Sequence, residues 1–157
     1  MLTFAFYKAV PGRFADKVIR LSSGSQYSHV EFLLTPPYAG EALSISASKR
    51  DGNKVREASI VLRDTHWDYL RVPGDFEDAR LYARSQVGTP YNMISATLSI
   101  TPIKKKMGSG VHCSWFMGDI CNAAGLYVND PWRLTPGELH QFLQSSCGLN
   151  NTIYDST

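Results

Sequence analysis

Apolar and polar residues alternate along the first half of the chain, whereas in the second half the apolar positions recur every three or four residues. "LTFAFYK" has the aromatic and threonine content of a short strand, which Pro11-Gly12 breaks. "RFADKVIRLSS" carries Phe14, Val18 and Leu21 at helical spacing and predicts a short amphipathic helix ending near Gly24. "SHVEFLL" predicts a strand closed by Thr35-Pro36-Pro37. "EALSISASK" sets Leu43, Ile45 and Ala47 against Ser44, Ser46 and Ser48, a strand with one polar face. "RDGNK" is a turn, and "VREASIVLR" and "WDYLRV" are further strands, stopped by Pro73-Gly74.

The period then changes. "DFEDARLYARSQVG" opens with acidic residues suited to a helix N-terminus and offers Phe76, Ala79, Leu81 and Ala83 as apolar positions before Gly88. A loop through Pro90, Pro102, Gly108 and Gly110 leads to "CSWFMGDICNAAGL", a helix closed by Gly125. "TPGELHQFLQ" is a final helix with Thr135 as cap and Glu138 three residues on. Strands first and helices later predict an α+β fold, an antiparallel sheet packed with helices, in one domain over 1–157. No internal repeat interrupts the pattern.

Composition narrows the function classes. The chain has 157 residues, 43% of them hydrophobic and 19% charged, which suits a folded core and not a disordered segment. A net charge of +2 is too mild to imply nucleic acid as a partner. Among the basic residues only Lys104 to Lys106 form a block, which reads as a solvated loop. No window approaches the roughly 18 apolar residues of a membrane helix, and the N-terminus lacks the features of a secretory signal, so a cytoplasmic protein is expected. Three cysteines, Cys113, Cys121 and Cys147, make an odd number, which argues against a disulfide framework and turns attention to a reactive thiol.

Cys113 follows a flexible "MGSGVH" loop and begins an apolar helix, where backbone N–H groups favour a thiolate and can hold an oxyanion. Cys121 and Cys147 are read as structural. A thiol nucleophile needs a base. His112 is the neighbour of Cys113 in sequence but projects in another direction at a helix start, and His66 and His140 read as surface or capping residues. His29 begins a strand after a polar loop, where a ring can project into a cleft at the end of a sheet.

"VGTPYNMISATLS" followed by "CSWFMGDICNAAGL" resembles the signature half of the NlpC-type papain-like hydrolases, and "SHVEFLL" resembles their histidine segment. Here the histidine segment precedes the cysteine. That order resembles the circularly permuted branch, the YaeF/YiiX-like and lecithin-retinol-acyltransferase-like proteins, and within it small phage-encoded members. The resemblance covers roughly residues 25 to 140. It implies a permuted papain-like fold with Cys113 as nucleophile, His29 as general base and then acid, and the Cys113 N–H in the oxyanion hole. Tyr91, matching the family tyrosine of "GTPY", together with Ser46 and Tyr27, is expected to face the substrate. Neither a cofactor nor a metal is implied. The substrate would be a peptide, a peptidoglycan stem or a lipid-like acyl group.

Two positions depart from the pattern. Related enzymes orient the imidazole with a polar residue on the next strand, where this chain has Ser44, Ser46 and Ser48, and serine orients weakly. Glu31 lies two residues from His29 and so on the same side of a strand. Its carboxylate has three readings: it orients the ring, it contacts substrate, or it forms a structural ion pair with Arg50 or Arg56. The second departure is His112, where the peptidoglycan-cleaving relatives carry aspartate. The chain thus reads as a cysteine hydrolase or acyltransferase working through a thioester. The alternatives are a non-catalytic binding or host-interaction module on the same scaffold and, with least support, a zinc site from Cys113, Cys121, His112 and His140.

Overall fold

The computed structural model describes residues 1–8, 25–37, 40–63 and 65–147. The helix expected over "RFADKVIRLSS" lies outside these residues. Five strands form one sheet: β1 (Leu2–Lys8), β2 (Tyr27–Leu33), β3 (Glu41–Ser48), β4 (Lys54–Val61) and β5 (Trp67–Val72). Their order is β4-β3-β2-β1-β5, with neighbours antiparallel throughout. Helices α1 (Phe76–Ser85), α2 (Met93–Ser99), α3 (Cys113–Ala123) and α4 (Pro136–Ser146) follow, with a 3-10 turn at Pro131–Arg133. The class is α+β.

Alternation along the strands sends Phe4, Phe6, Val30, Phe32, Ile45 and Ala47 to one face. There they pack with Phe116, Met117, Ile120 and Cys121 of α3 and with Leu139 and Leu143 of α4. Phe4 and Phe32 meet with ring centroids 5.6 Å apart. A smaller cluster of Ala5, Leu33, Ala42 and Leu62 occupies the other face. The serine face of β3 was expected to be polar and is, but it is not solvated: Ser44, Ser46 and Ser48 are all buried.

Asp75 caps α1 by accepting the N–H groups of Glu77 and Asp78 at 2.9 and 3.1 Å. Ala79 and Ala83 point inward and Phe76 packs beside them, but Leu81 is exposed. At about 100° per residue, position 81 faces away from 79 and 83, so of the four apolar positions Leu81 is the one turned to solvent. Helix α2 was missed within what read as a loop; its signal is Asn92, whose side chain caps the Ser95 N–H at 2.8 Å. Thr135 and Glu138 form the reciprocal capping box expected for α4.

Gly118 lets α3 approach the 3-10 turn. A Cβ there would stand 2.4 Å from Pro131 Cβ. The variant Gly118→Ala is therefore expected to lose about 1–3 kcal/mol of stability through overpacking, against alanine's helix advantage of about 1 kcal/mol. Urea unfolding measures it, and an unchanged or raised midpoint would contradict this packing.

Candidate active site

Strand β2 meets β3 through Phe32–Ile45 and Leu33–Ser44. Towards the start of β2, side chains take over from the backbone ladder. Ser46 Oγ donates to the Val30 carbonyl at 2.8 Å, and Ser44 Oγ donates to Glu31 Oε2 at 2.9 Å. Arg56 of β4 stands opposite Ser46 and forks onto Glu31, Nη1 to Oε2 at 2.8 Å and Nη2 to Oε1 at 2.7 Å. Its Nε donates to Asp51 in the β3–β4 turn at 2.9 Å. Glu31 Oε1 also takes His29 Nε2 at 2.8 Å.

Glu31 is only 2% exposed. Burial alone would push its carboxyl up; the Arg56 fork and the His29 ring outweigh burial and hold it down at about 2. Glu31 is thus an ionised group bonded both to His29 and to Arg56, which combines two of its three readings and takes it away from a substrate.

Cys113 opens α3. The helix is capped by His112, whose Nδ1 accepts the Trp115 N–H at 3.4 Å while Nε2 lies 3.2 Å from the Trp132 carbonyl. With Nδ1 accepting, the ring's proton sits on Nε2 and is donated to Trp132. An aspartate at this position would cap the helix in the same way. The Cys113 and Ser114 amides precede the first intrahelical bond, so they are donors available to an oxyanion.

The Cys113 thiol interacts with both His112 and His29. Burial pushes the thiol up; His112 and His29 more than offset this and bring it down to about 6. Of the two rings, His29 is the one anchored by a carboxylate, whereas His112 Nε2 faces the Trp132 carbonyl. His29 Nε2 is held by Glu31, which leaves Nδ1 for sulfur. Burial disfavours the imidazolium, but the bonds to Cys113 and Glu31 overcome it and raise His29 to about 10. Between those values the favoured state is thiolate beside imidazolium, the pair titrating as a unit. The His29 side chain keeps 25% of its surface exposed, so solvent reaches the pair.

The remaining expected site residues separate. Tyr91 is partly buried near Cys113; burial first and the Cys113 charge second push its phenol well above the ordinary range, so it stays a donor. Its backbone pairs with Val111 and its N–H donates to Asn53 O at 2.9 Å. Ser46 is fully buried on the Val30 carbonyl, so it braces two strands where substrate contact was expected. Tyr27 is buried too: its hydroxyl donates to Asp68 at 2.7 Å and its ring lies 4.5 Å from that of His140. It packs towards α4, away from the expected substrate role.

The lysine loop is solvent-exposed at Lys105 and Lys106, as expected, while Lys104 pairs with Glu138 and Lys106 Nζ lies 4.9 Å over the Trp115 ring. Cys121 sits in the core and His140 against Phe6 and Tyr27, so the four residues of the zinc alternative do not converge. Among the described residues no group of three or more His, Cys, Asp or Glu is placed to hold a metal ion, and no helix is long and apolar enough to cross a membrane.

Burial, with the neighbouring Cys147, pushes Cys121 up to about 12, and burial raises Cys147 as well. Brief treatment with iodoacetamide at pH 6.5 is therefore expected to alkylate Cys113 at least about tenfold faster than either other cysteine. In His29→Ala that lead shrinks, because Cys113 loses one of the two rings that lower it. Peptide mass mapping reads both, and equal labelling of the three cysteines in the wild type would contradict the arrangement.

A scan against protein-family models and searches of curated proteins and of solved structures find no match to this chain.

Proposed function

We propose that the protein is a cysteine hydrolase of the permuted NlpC-type papain-like class, cleaving an amide or ester through a thioester on Cys113. The observation that carries this reading is the Cys113 thiol at the start of α3, in reach of a His29 ring whose other nitrogen is bonded to an ionised Glu31. A nucleophile, a base and an acid that fixes the ring are the parts that acyl transfer requires.

In the proposed cycle the Cys113 thiolate adds to the carbonyl carbon, and the oxyanion takes N–H bonds at the α3 N-terminus. As the tetrahedral centre collapses, the C–N or C–O bond breaks and His29 Nδ1–H protonates the leaving amine or alkoxide. The neutral ring then removes a proton from water, which adds to the thioester. Collapse of that second centre expels the thiolate and releases the acid, and His29 keeps the proton, restoring the pair. Tyr91, held as O–H beside the sulfur, is the additional donor for the substrate.

The substrate class follows the resemblance: a peptide, a peptidoglycan stem or a lipid-like acyl group. The site of action is proposed to be a cytoplasm, where three cysteines that are all free stay reduced.

A panel of activated acyl esters and anilides tests the reading. One equivalent of leaving group should appear as a burst, with the matching acyl mass on Cys113 and nowhere else. Cys113→Ala should give neither, and His29→Ala should slow acylation by about 10²–10⁴-fold. A wild-type protein that takes up no acyl group from any member belongs to the binding-module reading instead, and full turnover by Cys113→Ala would sink the mechanism.

A further inference from the structure

Arg56 touches neither Cys113 nor His29 among its hydrogen bonds and ion pairs: its three bonds go to the two oxygens of Glu31 and to Asp51. We propose that Arg56 is a positioning residue of the active centre, which keeps Glu31 ionised and in the orientation that presents Oε1 to His29. The proposal rests on the hydrolase reading and extends it to a fourth ionised side chain and its anchor.

The geometry supports this in three ways. A carboxylate held by one bond can rotate about its terminal torsion, whereas the two parallel bonds of the guanidinium fix the plane of both oxygens. Ser44 adds a bond to Oε2 at 2.9 Å, so Oε1 is the oxygen left to take His29. Arg56 itself is held from behind by Asp51 Oδ2, and the Asp51 backbone N–H donates to Ser48 Oγ at 3.3 Å. The charged groups thus run in alternating sign, Asp51, Arg56, Glu31, His29, Cys113, from a half-exposed turn to the buried sulfur. Among the described residues Tyr91 and His112 also face this line, both at Cys113. The same turn holds Tyr91, because Asn53 O accepts the Tyr91 N–H. One turn of the β3–β4 hairpin therefore anchors both the acid arm and the tyrosine.

Removing Arg56 takes away the strongest influence keeping the buried Glu31 ionised, and a protonated Glu31 no longer supports the imidazolium. Arg56→Met should therefore copy Glu31→Gln in its effect on His29, a readout that a merely structural role would not produce. The probe is the nuclear magnetic resonance titration of the His29 ring nitrogens in the whole protein. Wild-type His29 should hold its proton to about pH 10. In Arg56→Met and in Glu31→Gln the midpoint should fall by at least about one unit, while Arg56→Lys, which keeps the charge, should stay closer to the wild type.

The double variant Glu31→Gln/Arg56→Met leaves no buried charge unpaired, so it stays folded where a single change fails to. Its midpoint should match that of Glu31→Gln, because both changes act through one carboxylate. An additive further drop, or a wild-type midpoint in Arg56→Met, overturns the role of Arg56 while leaving the Cys113–His29 pair standing. A wild-type His29 that titrates near 6.5 overturns the pair itself and the proposal with it.

Discussion

The buried, ionised carboxylate of Glu31 is the constraint on which the centre of this structure depends. Taking a carboxylate out of water costs several kcal/mol unless its lone pairs are filled and a cation stands beside it. Arg56, Ser44 and His29 do this together, from three neighbouring strands. The requirement explains why the serine face of β3 is buried and still polar, and why side-chain bonds replace the ladder where β2 leaves β3. Replacing any one partner by an apolar residue exposes the others to an unpaired charge.

Against this arm stands α3, whose role is rigidity. Phe116, Met117 and Ile120 are fully buried and fix the helix axis on the sheet. His112 closes its first turn, the Trp132 carbonyl holds His112, and Gly118 lets the turn carrying Trp132 sit close. Cys113 therefore arrives at His29 from a second element whose position is set independently. Two rigid elements meeting at a sulfur and a ring nitrogen keep the reactive geometry in place without a flexible loop between them.

Much of this was legible in the chain. Residue type and spacing located the five strands and three of the four helices of the described residues. Cys113 at a helix start and His29 on a strand were singled out from residue type and position. Helix α2 was not legible: its seven residues put only Ser95 and Ser99 in the buried class, so no apolar stripe marks it. Leu81 shows that apolar identity does not fix direction, since the helix turns it away from the core. Ser46 and Tyr27 misled for a different reason. Strand parity states which side chains share a face, but the bonds of Ser46 to Val30 O and of Tyr27 to Asp68 come from residues far apart in sequence. Arg56 was visible as a possible ion-pair partner. Its fork onto Glu31 became visible only once β4 was placed beside β3, with residue 56 opposite residue 46.

The central claim is that Cys113 rests as a thiolate stabilised by His112 and His29. Its most direct test is an ultraviolet titration of the thiolate band, taken as the difference between the wild type and Cys113→Ser. A midpoint at about pH 6 is the result this structure predicts; a midpoint near 8.5, the value of an ordinary thiol, would contradict it.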